Sequence, residues 1–269
     1  MALLSVRLPA VGSLEWERLG GPPLSLSQRA QLLAGMAVVL GGDLAGRARW
    51  QLALWRLLGN PYPQKIDLTS WAQPDTSAVR QAREFLREVA SPQILHHSYR
   101  CYYFTAALCE LGLAAGDVDP ESLSVAVLLH DVGLFDAKPA PGDHCFTVAS
   151  AREARRIAAG AGWDAARVDA VALAITANLN PFVNAEVYGP LAHIFRHGGL
   201  VDVLAQEWKL HPDNLAEILR QHPRDGFADD TANRIKREVG CHPGCRFACY
   251  GALFPAMVKL RRFRIDSSR

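Results

Sequence analysis

The chain has 269 residues, of which 49% are hydrophobic and 21% charged, with a formal net charge of +2 and a pI near 8.3. That balance suits one large domain, or a domain with an appendage, and excludes a wholly disordered chain. So small a positive excess excludes a strongly basic nucleic-acid binder as the default reading, and no apolar run approaches the roughly 18 residues of a membrane span. Residues 1–20 lack the basic start and long apolar stretch of a secretory signal, so the expectation is a soluble cytoplasmic protein with reduced cysteines.

Residues 1–24 are mixed and end in a Gly20-Gly21-Pro22-Pro23 break. Helical periodicity follows over 25–40. Gly41-Gly42-Asp43 is expected to interrupt it, with a second helix over 44–58 carrying Trp50, Leu52, Trp55 and Leu58 on one face. The proline-rich stretch 60–75 is the expected boundary of an N-terminal helical extension, residues 1–73. Beyond it, Pro74-Asp75-Thr76-Ser77 resembles a helix start, and Ser91-Pro92 another. Helices are expected over 78–89, 91–112, 120–130, 149–159, 165–177, 200–207 and 214–221. Strand-like alternation is scarce. The fold class read from this pattern is all-α, with a main domain at 74–225 and a short Cys-containing C-terminal segment at 226–269.

The most informative stretch is Leu128-Leu129-His130-Asp131-Val132-Gly133, an apolar helix that ends in two ligand types. Burying His and Asp there is costly unless they are paired or bind metal. Neighbouring helical residues point about 100° apart, so both reach one ion only near the helix end, where Gly133 allows the chain to turn away. Upstream lies His96-His97-Ser98-Tyr99-Arg100 on an apolar helix. Downstream lies Gly199-Leu200-Val201-Asp202-Val203-Leu204, an acid within an apolar run.

On these segments the chain resembles the HD superfamily of metal-dependent hydrolases. Its helical His, His-Asp pair and distant Asp fall on His97, His130, Asp131 and Asp202. Pro74-Asp75-Thr76, His97-Ser98-Tyr99-Arg100 and Tyr102-Tyr103-Phe104 look like its cyanamide hydratase branch. The resemblance covers about residues 74–225 and implies a helical bundle holding one divalent ion, Zn, Fe or Mn. It further implies an ion-activated water that attacks a nitrile-type or other C–N electrophile of a small molecule. Asn178 stands where many two-metal members carry His, and Thr147 where a carboxylate is common; both departures favour a single ion.

Around this set, Asp131, Lys138 and His144 are candidate catalytic groups, His144 as a general acid or a solvated loop residue. Arg100, Thr147, Thr176, Asn178 and His197 are candidate pocket residues, with Arg100 able to pair with Asp131 or with substrate. His193 and His197 share a helix face. At the C-terminal end, Cys241, His242, Cys245 and Cys249 are read as a second metal site, a reactive thiol cluster or plain packing. Two other functions stay open: a phosphohydrolase acting on a nucleotide or phosphate ester, and a metal-bearing binding protein without turnover. Apolar N-terminal helices make a homodimer the expected assembly.

Overall fold

The computed structural model describes residues 9–135 and 140–264. Among the described residues the protein is all-α, with twelve α-helices and no strand. The helices are α1 (Leu14–Arg18), α2 (Leu26–Leu54), α3 (Ser77–Val89), α4 (Pro92–Glu110), α5 (Pro120–Leu129) and α6 (Phe146–Gly160). They continue as α7 (Ala165–Ala177), α8 (Ala185–Leu204), α9 (Pro212–Gln221), α10 (Phe227–Cys241), α11 (Arg246–Tyr250) and α12 (Leu253–Leu260). No described helix is long and apolar enough to cross a membrane.

Local chemistry sets the helix starts that matter. The Thr76, Ser91, Asp119 and Asp164 side chains each accept a backbone N–H of the first turn of α3, α4, α5 and α7. Pro92 and Pro120 sit in first-turn positions, where the missing N–H costs nothing. α5 is buried from Ser122 to Leu129, so it runs through the centre of the bundle. It delivers His130 and Asp131 at its C-terminal end. α4 and α8 pack closely beside it. A Cβ on Gly198 of α8 would lie 1.9 Å from Thr105 Oγ1 of α4, so only glycine permits this approach. Gly133 is likewise set by crowding rather than by a left-handed turn. Its Cβ would stand 2.1 Å from the Phe146 carbonyl oxygen, and its N–H donates to Ser150 Oγ at 2.9 Å.

α2 departs from expectation, because Gly41-Gly42-Asp43 does not interrupt it. Two mid-helix glycines cost about 1 kcal/mol each relative to alanine. The segment is held by tertiary bonds of Asp43, whose carboxylate meets Arg47 Nε at 3.2 Å, an Arg261 nitrogen at 3.0 Å and Gln206 Nε2 at 3.1 Å. Gly46 also lets the helix approach the Trp208 ring. On the other side of α2, Leu33, Ala37, Val38 and Leu44 are exposed. α8 also extends further than expected. It breaks at Gly189 (φ 83°), resumes at Pro190 and ends where Ala205 adopts a left-handed conformation.

Candidate metal centre

Three helices build the site. α4 carries His97, Arg100 and Cys101; the end of α5 carries His130 and Asp131; α8 carries Asp202. All of these except Asp131, which is partly exposed, are buried. His97 Nδ1 lies 2.5 Å from Asp202 Oδ2, a hydrogen bond in which the ring nitrogen donates. His130 Nδ1 lies 2.8 Å from the Val127 carbonyl oxygen, which can only accept. Each neutral imidazole therefore keeps its lone pair on Nε2. Both Nε2 atoms face the same oxygen, Asp131 Oδ2, at 3.6 Å from His97 and 3.2 Å from His130. Three lone-pair donors converge, and both imidazole protons are already committed elsewhere. Such a junction calls for a cation, either a proton or a metal ion. Imidazole nitrogen and carboxylate oxygen are both common metal-ligand types.

The ring planes are fixed by packing. Phe227 stacks on His97 at 4.6 Å between centroids, and Phe195 meets His130 edge-on at 5.2 Å. Burial lowers the His97 pKa. Burial also disfavours charged His130, but the adjacent Asp131 carboxylate and the Val127 carbonyl outweigh it and raise its pKa. Asp131 is raised by burial and lowered further by the two imidazoles, with a net shift downward.

Asp202 occupies a different position from the other three expected ligands. Its Oδ1 accepts Arg100 Nε at 2.8 Å, and its Oδ2 accepts an Arg100 terminal nitrogen at 2.9 Å as well as His97. Arg224 Nε adds a contact of 3.3 Å to Oδ1. Burial would raise this acid, yet Arg100, His97 and Arg224 hold it far below the usual carboxylate range. Both oxygens are thus engaged by the protein, and Asp202 orients His97 from behind. Arg100 is consumed by the same contact, and its remaining terminal nitrogen donates to the Pro223 carbonyl at 2.6 Å. It pairs with neither Asp131 nor the cavity.

Cys101 joins the cluster without having been singled out in the sequence. His97, Cys101 and His130 each offer a ligand atom, all within 4.8 Å of one another and all buried, and this group can hold a metal ion. Its only sequence signal is the i,i+4 spacing from His97, which puts both on one face of α4. Burial pushes the thiol well above its ordinary pKa, so it would ligate only by giving its proton up to a bound cation.

Beside the centre lies a cavity of about 60 Å³, to which His97, His130 and Asp131 contribute. Asn178 lines it, as expected. So do Met36 of α2, Phe227 and Thr231 of α10, Phe247 of α11, and Met257 of α12. The walls therefore come from all three parts of the chain, and the C-terminal segment covers the site.

The other expected pocket residues lie elsewhere. Thr176 Oγ1 donates to the Gly12 carbonyl at 2.8 Å, and Thr147 Oγ1 accepts from Arg246 at 2.6 Å, so both serve packing between segments. His197 packs edge-on against His193 at 4.8 Å between centroids and does not line the cavity. His144 is exposed on its loop, away from the cavity. Lys138 lies outside the described residues.

The C-terminal cysteines also scatter. Cys241 is exposed, His242 Nδ1 meets Glu238 at 3.0 Å, Cys245 Sγ caps α11, and Cys249 Sγ faces the Arg29 carbonyl. Among the described residues they form no metal-binding group. Burial pushes the Cys245 thiol up to about 12, which removes it as a reactive thiolate.

In comparisons with known proteins, no family model matches the chain and no curated protein matches it.

Proposed function

We propose that the protein is a hydrolase or hydratase of the HD type, dependent on one divalent ion and acting on a small molecule. The observation that carries this reading is the meeting of His97 Nε2, His130 Nε2 and Asp131 Oδ2 at the edge of a largely apolar cavity. Two imidazoles and one carboxylate would hold Zn, Fe or Mn, and a thiol contribution from Cys101 would favour Zn. When bound, such an ion supplies Lewis acidity and lowers the pKa of coordinated water.

The chain's own residues do the rest. Asp202, clamped by Arg100, fixes the His97 tautomer, and the Val127 carbonyl fixes that of His130. The largely apolar walls lower the local dielectric and so strengthen charge interactions inside. A small electrophile of the nitrile or C–N type fits this cavity better than a phosphate ester. Arg100 and Arg224 are already turned onto Asp202, which leaves Arg196 as the one arginine or lysine among the residues lining the cavity, where a phosphoryl group would call for several cations.

Metal content by elemental analysis tests the reading. One equivalent is expected in the wild type. It should be lost in His130→Ala and kept in Cys245→Ala. Retention in Cys101→Ala would leave His97, His130 and Asp131 as the ligand set, whereas loss would add the thiol to it. No metal in a well-folded wild type would overturn the proposal.

A further inference from the structure

Arg196 on α8 is 8% exposed and lines the cavity beside the metal centre. Its Nε donates to the Asn180 carbonyl at 2.5 Å. Among the described residues no carboxylate pairs with it, in contrast to Arg100 and Arg224, which share Asp202. The neighbour that acts on it most is the Tyr250 phenol, and Arg196 in turn lowers the pKa of nearby Lys209, another cation. Burial has lowered the Arg196 pKa to about 10, which still leaves it charged at neutral pH. A buried guanidinium with neither a counter-charge nor a full set of hydrogen bonds is costly; Arg246 spends its terminal nitrogens on neutral oxygens, whereas among the described residues Arg196 shows one bond, to the Asn180 carbonyl.

Two more polar groups on the same cavity lack partners. Thr231 Oγ1 and Asn178 Oδ1 are buried with no hydrogen bond. Thr231 is itself 7% exposed. The Thr231 hydroxyl can donate to an acceptor on a ligand in this cavity, whereas Asn178 Oδ1 can only accept and is not met by a carboxylate. The remaining walls are apolar, with Leu134, Leu200, Val203 and Phe254 among them.

We propose that Arg196 is the specificity-determining residue of this cavity, and that the ligand is a small organic carboxylate with a short apolar body. The inference rests on the proposed function in placing substrate in this cavity, and it adds the chemical class of that substrate. One guanidinium balances one carboxylate, and the Thr231 hydroxyl can donate to the second oxygen. The carboxylate end is held at Arg196 and the reacting end is turned to His97, His130 and Asp131.

The test measures binding rather than turnover. Calorimetric titration with propionate and with its neutral isostere propionamide is carried out on the wild type, Arg196→Met and Arg196→Lys. Propionate is expected to bind the wild type at least tenfold more tightly than Arg196→Met, with partial recovery in Arg196→Lys. Propionamide should not distinguish the three proteins. Thermal unfolding without ligand separates a merely structural role. Removing an unpaired buried charge should leave the melting temperature of Arg196→Met unchanged or raised, so a marked fall would make Arg196 structural and overturn the proposal. Equal propionate binding by wild type and Arg196→Met would overturn it too, as would tighter binding of inorganic phosphate than of propionate.

Repeating the titrations on a His130→Ala background keeps the two readings apart. If the wild type carries no metal but the Arg196 dependence persists, the metal reading fails and the carboxylate subsite stands. If metal is bound but propionate shows no Arg196 dependence, the subsite fails alone.

Discussion

Two clusters in this protein each bury an arginine completely, and they solve the problem in opposite ways. Around Asp202, Arg100 meets a carboxylate in a two-pronged contact, and the same carboxylate aims His97 at Asp131 and His130. In the C-terminal cluster, Arg246 finds only neutral acceptors. These are the Thr176 carbonyl at 2.6 Å, Thr147 Oγ1 at 2.6 Å, Asn180 Oδ1 at 3.0 Å and Cys145 Sγ at 3.6 Å, and the guanidinium lies over the Trp16 ring. Both regions contain cysteine and histidine. Only the first turns lone pairs toward one point. Ligand-type residues close in sequence do not make a site; a paired charge that orients them does.

The largest expected effect comes from Asp202→Ala. It strands Arg100 and Arg224 in the core, and breaking a buried pair by removing one partner costs about 3–5 kcal/mol. Urea unfolding should report that loss, together with loss of bound metal. A stability change under about 1 kcal/mol would mean that the arginines find other partners and that the contrast is false.

Arg246→Met should cost less, about 1–3 kcal/mol, because it leaves unsatisfied neutral oxygens but no stranded charge. Metal content should not change. If this variant lost its metal, the C-terminal cluster would belong to the site, and the comparison would collapse from the other side.

The smallest effect is a pH dependence of stability. Burial, assisted by neighbouring cations, lowers His197 and His222 to about 4. Their unfolded values lie near 6.5. For a depressed histidine the unfolded chain takes the proton first, so this stability is complete above about 6.5 and is lost as pH falls toward 4. His222 stacks between Tyr99 and Tyr103, so His222→Phe keeps the stack and removes the titration. Its melting temperature should drop by a few degrees less than that of the wild type between pH 7 and pH 4. An identical drop in both proteins would show that His222 is protonated in the folded state.

The helices of the main domain were legible because caps and periodicity are local. Thr76 and Ser91 announce their helices within one turn, while Asp119 and Asp164 cap α5 and α7 without having been singled out in the sequence. α2 was misread as two helices, since Gly41-Gly42-Asp43 is a break signal that only the bonds of Asp43 to Arg47, Gln206 and Arg261 override. His97, His130 and Asp131 could be singled out from residue type and helical setting. Cys101 was missed because a small buried residue four positions from a histidine resembles ordinary packing. Thr231 and Phe227 were missed because the C-terminal segment was read for its cysteines, while the faces that close the cavity belong to α10 and α12.

By itself, then, the sequence determined an all-α chain with His130 and Asp131 at the end of an apolar helix and His97 within another. Those outcomes follow from the local periodicity of apolar positions and from capping chemistry. Tertiary structure alone decided that Asp202 turns to Arg100 and His97, that Thr147 and Thr176 bind segments together, and that Arg196 has no counter-charge among the described residues. These outcomes hinge on which groups meet across a hundred residues of chain and on what burial makes of an unpaired charge, and neither is written in residue spacing.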